Sequence, residues 1–392
     1  MKILIIGYST RYLVCAGKRA GYTVYSLDHF GDADLLDCAD KYACFSDIAN
    51  DDDLLSVLDR LNWDFDAIIL GTGFEYADMG REGYHVLNNP PDITRSTGNK
   101  KSFAGKMGLL GFPHPRIYDI DDDFGYPVMV KPVYGVGGIE NRLAYSREAI
   151  MGCGDDLLIQ EYIEGIPASV SVIATHKDAV AIAVNEQLIG TRWLSAHRFA
   201  YSGNVTPFRS EYDCEMREIA VQVVKRLGLV GSNGVDFLIT DEGPVAIEVN
   251  ARFQGTLDTV EHVSGISVFD AHVKAFSGEL PEVDHDNESG TGFAGKAIVF
   301  ADHDLVIDKT ISKRLVREPI LDIPAVGCKI PAGDPVTTVF CTGRTREQVL
   351  DELKAAAWRI RRSVWDGGGW CSRNRNVHQA CRAVGSRGDA QL

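Results

Sequence analysis

Residues 234–252 narrow the choices for this chain more than any other stretch. Gly234-Val235-Asp236-Phe237-Leu238 and Val245-Ala246-Ile247-Glu248-Val249-Asn250-Ala251-Arg252 both read as strands, with Asp241-Glu242-Gly243 as the hairpin turn between them. Alternate residues of a strand share a face, so Glu248, Asn250 and Arg252 line one side, and Asp236 can sit across from them on the neighbouring strand. Two carboxylates and an amide oxygen are hard ligands, suited to a magnesium ion that keeps phosphate and water around it, with manganese as the alternative ion. Arg252 is then the cation facing a phosphate or an acyl phosphate. The competing reading is an amphipathic hairpin whose polar face is solvated.

Three further segments bear on that choice. Tyr126-Pro127-Val128-Met129-Val130-Lys131-Pro132 embeds a lysine in an apolar strand, which is costly unless the ammonium meets an anion. Directly after it, Gly135, Gly137 and Gly138 give a loop whose backbone N–H groups can approach phosphate closely. No G-K-[ST] follows, so this is not a Walker A loop. Leu157 to Gly165 is an apolar strand opening into a polar segment that contains Glu161, Ile163 and Glu164, a suitable edge for adenine.

The 392 residues exceed one ordinary core and fit several packed subdomains, and 45% hydrophobic with 24% charged residues reads as a globular protein. The apolar runs are too short to span a bilayer, and Met1 to Gly7 reads as a buried strand rather than a signal peptide. A formal net charge of −15 argues against a nucleic-acid surface. The nine cysteines (Cys15, Cys38, Cys44, Cys153, Cys214, Cys328, Cys341, Cys371 and Cys381) show no C-x-x-C spacing, so free thiols and a cytoplasmic location are expected.

Strands at 2–6, 23–27 and 66–70 alternate with helices at 12–20 and 52–61, which predicts a parallel sheet with βαβ crossovers. The first turn, Gly7-Tyr8-Ser9-Thr10-Arg11, lacks the G-x-G-x-x-G fingerprint. Asp28 therefore reads as a strand-end turn residue before a ribose ligand. Pro90-Pro91 signals a linker, and a helix is expected from Lys101 to Leu110, closed by Gly111. A helix at 212–228 precedes the hairpin. An acidic, turn-rich stretch at 281–292 leads to strands at 295–301 and 335–342 and a helix at 345–360. From Gly367 the chain turns basic and loses apolar periodicity, which predicts a disordered tail.

Taken in order, these elements resemble the ATP-grasp superfamily over about residues 1–345. The nearest likeness is to the predicted archaeal-type ATP-grasp carboligases related to biotin carboxylase and carbamoyl-phosphate synthase. The resemblance implies a mixed α/β and α+β fold with a Rossmann-like pre-ATP-grasp domain at 1–92 and an ATP-grasp domain at 93–280, whose lid spans about 125–185. A small C-terminal α/β domain like that of biotin carboxylase follows at 281–362, and then the tail at 363–392. It assigns Lys100 and Lys131 to ATP phosphates, with Lys101 as the rival of Lys100, and Gly135, Gly137 and Gly138 to the lid loop. Glu161 and Ile163 take the adenine hinge, Asp236, Glu248 and Asn250 the metal, and Arg252 with Lys131 the catalytic roles. The usual ribose carboxylate is missing from Pro167-Ala168-Ser169-Val170-Ser171, leaving Glu164 as the substitute.

The implied activity is that of an ATP- and Mg2+-dependent ligase: a carboxylate is phosphorylated and the acyl group passes to an amine. Its partners are small-molecule carboxylates and amines, not nucleic acid or membrane, and a homodimer is compatible. Relatives that deprotonate bicarbonate carry R-x-Q-V-E, whereas this chain reads Arg252-Phe253-Gln254-Gly255-Thr256. A bicarbonate-activating carboxylase or carbamoyl-phosphate-synthase-like enzyme is therefore the second reading, and a non-catalytic nucleotide-binding module the third. Arg192, His197, Arg209 and His262 are candidates for substrate contact, each with a structural role as the competing reading.

Overall fold

Two short runs, Ile3-Leu4-Ile5-Ile6 and Ala67-Ile68-Ile69-Leu70, are apolar at every position and buried at every position. Strands of that kind need cover on both faces, as in a parallel sheet. In a computed structural model describing residues 1–135, 137–150, 154, 156–194, 197–284 and 292–365, they form its centre. Strands β1 (Lys2–Gly7), β2 (Thr23–Asp28), β3 (Lys41–Cys44) and β4 (Ala67–Leu70) lie in the order β3-β2-β1-β4, all parallel. Helices α1 (Arg11–Arg19), α2 (Ala33–Cys38) and α3 (Asp51–Leu61) connect them. Asp28 is buried and accepts hydrogen bonds from the N–H groups of Thr10 (2.7 Å) and Gly31 (2.6 Å), so it holds the turns at the strand ends.

The expectation of free thiols fails at one pair: Cys15 and Cys38 are disulfide-bonded. They are 23 residues apart, but α1 packs on α2 and brings their Cα atoms to 5.1 Å, a proximity that no local spacing announces. Cys44, Cys214, Cys328 and Cys341 are free, while Cys153, Cys371 and Cys381 lie outside the described residues.

Pro90-Pro91 opens a helix rather than a linker. Proline is well placed at a first helical position, where its missing N–H costs nothing, and α4 runs from Pro91 to Gly98. Asn99 then caps α5 (Lys100–Leu110) by accepting from Ser102 N–H at 2.9 Å, and Gly111 closes it in a left-handed conformation. A four-stranded antiparallel sheet follows, built from β5 (Ile117–Tyr118), β6 (Val128–Pro132), β7 (Arg142–Ala144) and β8 (Leu157–Glu161) in the order β5-β8-β6-β7.

The large sheet starts with β9 (Ile166–Ala174), β10 (Ala179–Ile189) and β11 (Tyr201–Thr206), continuing after α6 (Asp213–Arg226) with β12 (Gly231–Thr240) and β13 (Gly243–Asn250). Helices α7 (Leu257–Ser264) and α8 (Val268–Ala275) come next. Beyond them lie β14 (Phe293–Phe300), β15 (Leu305–Val306), α9 (Lys309–Leu315), β16 (Ile320–Leu321), β17 (Lys329–Ile330), β18 (Pro335–Gly343) and α10 (Arg346–Trp365). Strands β14, β18 and β16 join the same sheet, whose order is β13-β12-β9-β10-β11-β14-β18-β16. The tail expected from Gly367 onward lies outside the described residues, and no helix among those described is long and apolar enough to cross a membrane.

Apolar contact fixes the amino-terminal sheet to this body. Ile3, Ile5 and Leu13 share one core with Ile173, Phe253 and Phe269. A buried phenylalanine is worth about 1.5–3 kcal/mol, more than an exposed ion pair at about 0–1 kcal/mol, so this core outweighs the surface pairs along the same junction. Arg11 adds a buried polar tie: only 3% exposed, it meets Asp322 at 2.8 Å and Asp258 at 3.2 Å. The Asp34 carboxylate accepts from the N–H groups of Asp322 (3.0 Å) and Ile323 (2.8 Å), closing the same seam.

His272 of α8 is sealed in that core. Its Nδ1 accepts from Ser232 N–H and its Nε2 meets the Leu87 carbonyl, both at 2.8 Å, a pattern that suits the neutral ring. Gly231, at φ +75°, admits it: a Cβ there would lie 2.6 Å from Nδ1. Burial pushes the imidazole down to about 4 from an ordinary 6.5. The unfolded chain therefore binds more protons between those values, so the contribution is full above pH 6.5 and is lost as pH falls toward 4, by ~3 kcal/mol. Thermal unfolding followed from pH 7 to pH 4 is expected to show this fall, with a shallower one in His272→Gln.

Candidate active site

The two carboxylates on the hairpin face one another because of an extra residue. Register runs straight from Thr240 opposite Gly243 to Phe237 opposite Ala246, and the next pair would be Asp236 with Ile247. A bulge at Ile247 instead sets Asp236 against Glu248. Without it, the alternation of faces would put the two carboxylates on opposite sides of the sheet. Amides hold both oxygens of Asp236: Asn250 Nδ2 donates to one at 3.1 Å and Gln187 Nε2, from β10, to the other at 3.0 Å.

Burial, reinforced by the adjacent Glu248 charge, pushes Asp236 well above the ordinary carboxylate range. Burial raises Glu248 as well, but Lys100 and Lys131, with smaller help from Asp236 and Arg252, outweigh it and hold that group below its usual value. Two carboxyl groups crowded in this way retain a proton until another cation takes its place. The pair with the Asn250 oxygen thus fits a hard divalent ion. Among the described residues no group of three or more His, Cys, Asp or Glu side chains forms a metal cage.

Three cations approach the pair from three segments. Lys100, at the start of α5, is 7% exposed, with Nζ 3.6 Å from Glu248 and donating to the Gly135 carbonyl at 3.0 Å. Its rival Lys101 is exposed. Lys131, on β6, is buried; burial, with the neighbouring Lys100 charge, pushes its ammonium down to about 8, and Glu248 works against that fall. Arg252 extends the hairpin face: its Nη2 donates to Asn250 Oδ1 at 3.3 Å, and the Gln254 amide donates to its carbonyl.

The glycine loop is docked. Gly137 accepts from Tyr201 N–H at 2.9 Å, and Gly138, at φ +70°, lies so close to the Phe199 carbonyl that a Cβ would be 2.1 Å from the oxygen. Glu161 closes β8 opposite Val128, with its carboxylate accepting from Arg116 N–H at 3.1 Å. Ile163 is half-buried on the following segment and Glu164 is exposed. Two other candidates fall elsewhere. Arg209 stacks over Phe293 at 5.1 Å, in a groove of about 510 Å³ with Glu186 and Arg346. Glu186 alternates with Gln187, so that groove opens on the sheet face away from Asp236. His262 packs edge-on against Phe340.

The sequence reading missed Glu75. It follows β4 in the loop that starts at Gly71-Thr72-Gly73, is 7% exposed, and has Oε1 3.4 Å from Arg252 Nε. Its other oxygen accepts from Gly73 N–H at 2.5 Å. The Tyr12 and Tyr76 hydroxyls feel the charges of both Glu75 and Arg252. The strand-end glycine turn was visible in the sequence, but nothing local links Glu75 to Arg252, far along the chain at the end of the hairpin.

The ATP-grasp domain family matches residues 97–256. An uncharacterized protein of Methanocaldococcus jannaschii is 26% identical over 367 residues, covering 87% of this chain and 88% of its own length. The 3-methyl-D-ornithine–L-lysine ligase of Methanosarcina barkeri is 24% identical over 294 residues, 71% of this chain and 72% of that enzyme. In fold, the chain is similar to the biotin carboxylase domain of Hydrogenobacter thermophilus 2-oxoglutarate carboxylase, solved with MgADP and bicarbonate. The TM-score is 0.71 at 16% identity, over 91% of this chain and 89% of that one.

Gly138→Ala tests the docked loop. The left-handed backbone costs a non-glycine residue about 1–2 kcal/mol before the clash is counted, a factor of about 5–30 in population. Calorimetric titration with ATP is expected to show affinity weakened by at least that factor.

Proposed function

This chain is a member of the ATP-grasp superfamily, and we propose that it is an ATP- and magnesium-dependent ligase that phosphorylates a carboxylate and transfers the acyl group to an amine, giving an amide or peptide-like bond. The observation that carries the reading is the convergence of Lys100, Lys131 and Arg252 on the Asp236–Glu248 pair. A domain that only bound nucleotide would not need both carboxylates and the arginine. Four parts follow: a pre-ATP-grasp domain at 1–92, the ATP-grasp domain at 93–280 with its lid, a carboxylase-like C-terminal domain expected at 281–362 that α10 extends to Trp365, and then the tail.

A free carboxylate is a poor electrophile, and phosphorylation converts one of its oxygens into a leaving group. The work left to the protein is positioning and charge neutralisation. Lys100 and Lys131 bind the phosphates of ATP, and the loop of Gly135, Gly137 and Gly138 covers them and excludes water that would hydrolyse the acyl phosphate. Glu161 and Ile163 border the adenine, and Glu164 is the candidate for the ribose. Asp236, Glu248 and Asn250 hold magnesium, which neutralises phosphate charge when bound. Arg252 stabilises negative charge on the transferring phosphoryl group or on the acyl oxygen.

The second reading, a bicarbonate-activating enzyme, draws on the bicarbonate-bound fold neighbour. It is disfavoured because Gly255 and Thr256 stand where bicarbonate-deprotonating relatives carry V-E. Magnesium-dependent ADP release, measured across amino acids and dicarboxylates as acyl donors, amines as acceptors, and bicarbonate, separates the two. The expected outcome is release requiring one carboxylate–amine pair, lowered about a hundred-fold or more in Glu248→Gln. Release driven by bicarbonate alone would move the chain to the carboxylase reading. ATP binding without release on any combination would favour a nucleotide-binding module.

A further inference from the structure

Lys100, Lys131 and Arg252 all bear on Glu248, whereas an alkyl amine arrives at neutral pH as a cation. A carboxylate is needed to receive it and to take the proton that blocks its lone pair. The acidic groups near Arg252 can be sorted by what already holds them. Asp236 and Glu248 face each other across the bulge and are committed to the metal. Asp258 is saturated by Arg11 at 3.2 Å and Lys296 at 3.4 Å, both buried. Glu75 remains. Its Oε2 is held by Gly73 N–H, while Oε1 stands 3.4 Å from Arg252 Nε, an ion-pair distance longer than a good hydrogen bond, which leaves that oxygen with capacity to accept.

Resting on the ligase reading, we propose that Glu75 and the loop at residues 72–76 form the subsite for the acceptor's ammonium group, and that Glu75 is the base that deprotonates it. The acceptor class is thus a primary alkylamine, protonated when it binds. Glu75 takes one proton from the ammonium and frees the nitrogen lone pair. The C–N bond forms as the bond from the acyl carbon to the phosphate oxygen breaks, with Arg252 beside the acyl oxygen. The second amine proton leaves with the phosphate as hydrogen phosphate, and Glu75 returns its own proton to solvent. The amino-terminal unit therefore supplies one wall of the active site.

The test compares two nucleophiles on the full-length protein. Hydroxylamine is neutral at about pH 7.5 and needs no base to attack an acyl phosphate, whereas methylamine and the amino acids are charged. Wild type, Glu75→Gln and Glu75→Asp are assayed for hydroxamate and for amide, with the twenty amino acids and dicarboxylates as acyl donors and circular dichroism as the check on folding. In Glu75→Gln, amide formation is expected to fall about a hundred-fold or more relative to hydroxamate formation. Amide formation should then recover roughly ten-fold per pH unit as the free amine accumulates, and Glu75→Asp should retain part of it. Parallel loss of hydroxamate and amide would overturn the proposal and make Glu75 a positioning residue for Arg252, and no loss of either would overturn it outright. Absence of hydroxamate in the wild type with every donor would instead bring down the ligase reading beneath it.

Discussion

Two carboxyl groups held face to face on one side of a hairpin set the terms for everything around them. Asp236 and Glu248 repel each other when both are charged, and the bulge at Ile247 keeps them together regardless. The surrounding structure answers that repulsion in two ways. Amides from Asn250 and Gln187 fix the Asp236 oxygens, and cations from α5, the small-sheet strand β6 and the end of the hairpin crowd toward Glu248. A divalent ion held there would complete the balance by taking the place of a proton.

The cations reach this point from segments that share no sheet. Lys100 sits at the start of a helix whose Asn99 cap fixes its first turn, and Lys131 lies buried on the small sheet. Arg252 is steadied from outside the ATP-grasp segment, by Glu75 of the amino-terminal unit. The shared core of Ile3, Leu13, Phe253 and Phe269 keeps that unit in place, so packing far from the chemistry determines where Glu75 stands.

How much of this was legible follows from the range of each interaction. The hairpin, the lysine on an apolar strand and the glycine loop are local patterns, and the alternation of polar and apolar residues exposed them. Most helix limits moved by only a residue or two, for instance to Lys100–Leu110 where 101–110 was expected, but the last helix runs on to Trp365 where 360 was expected. The bulge was not legible: a tight turn at Asp241-Glu242 read without it puts Asp236 and Glu248 on opposite faces. Glu75, Tyr12 and Gln187 became visible only after distant strands met. The same holds for Cys15 and Cys38, joined by helix packing, and for α4, where a proline pair that reads as a break begins a helix.

The path of the chain into and out of the small sheet has its own consequence. Segment 114–165 leaves at Pro113, whose carbonyl accepts from Ala246 N–H at 2.9 Å, and returns at Ile166, which pairs with Ile239. Both gateposts stand on the hairpin that carries the carboxylates. Topologically the small sheet is a cassette spliced into a continuous eight-stranded beam, with its ends moored to the two strands of the hairpin. Its contents can drift, lengthen or be exchanged in evolution without breaking a rung of the beam, while the two moorings keep whatever replaces it aimed at the same pair of carboxylates.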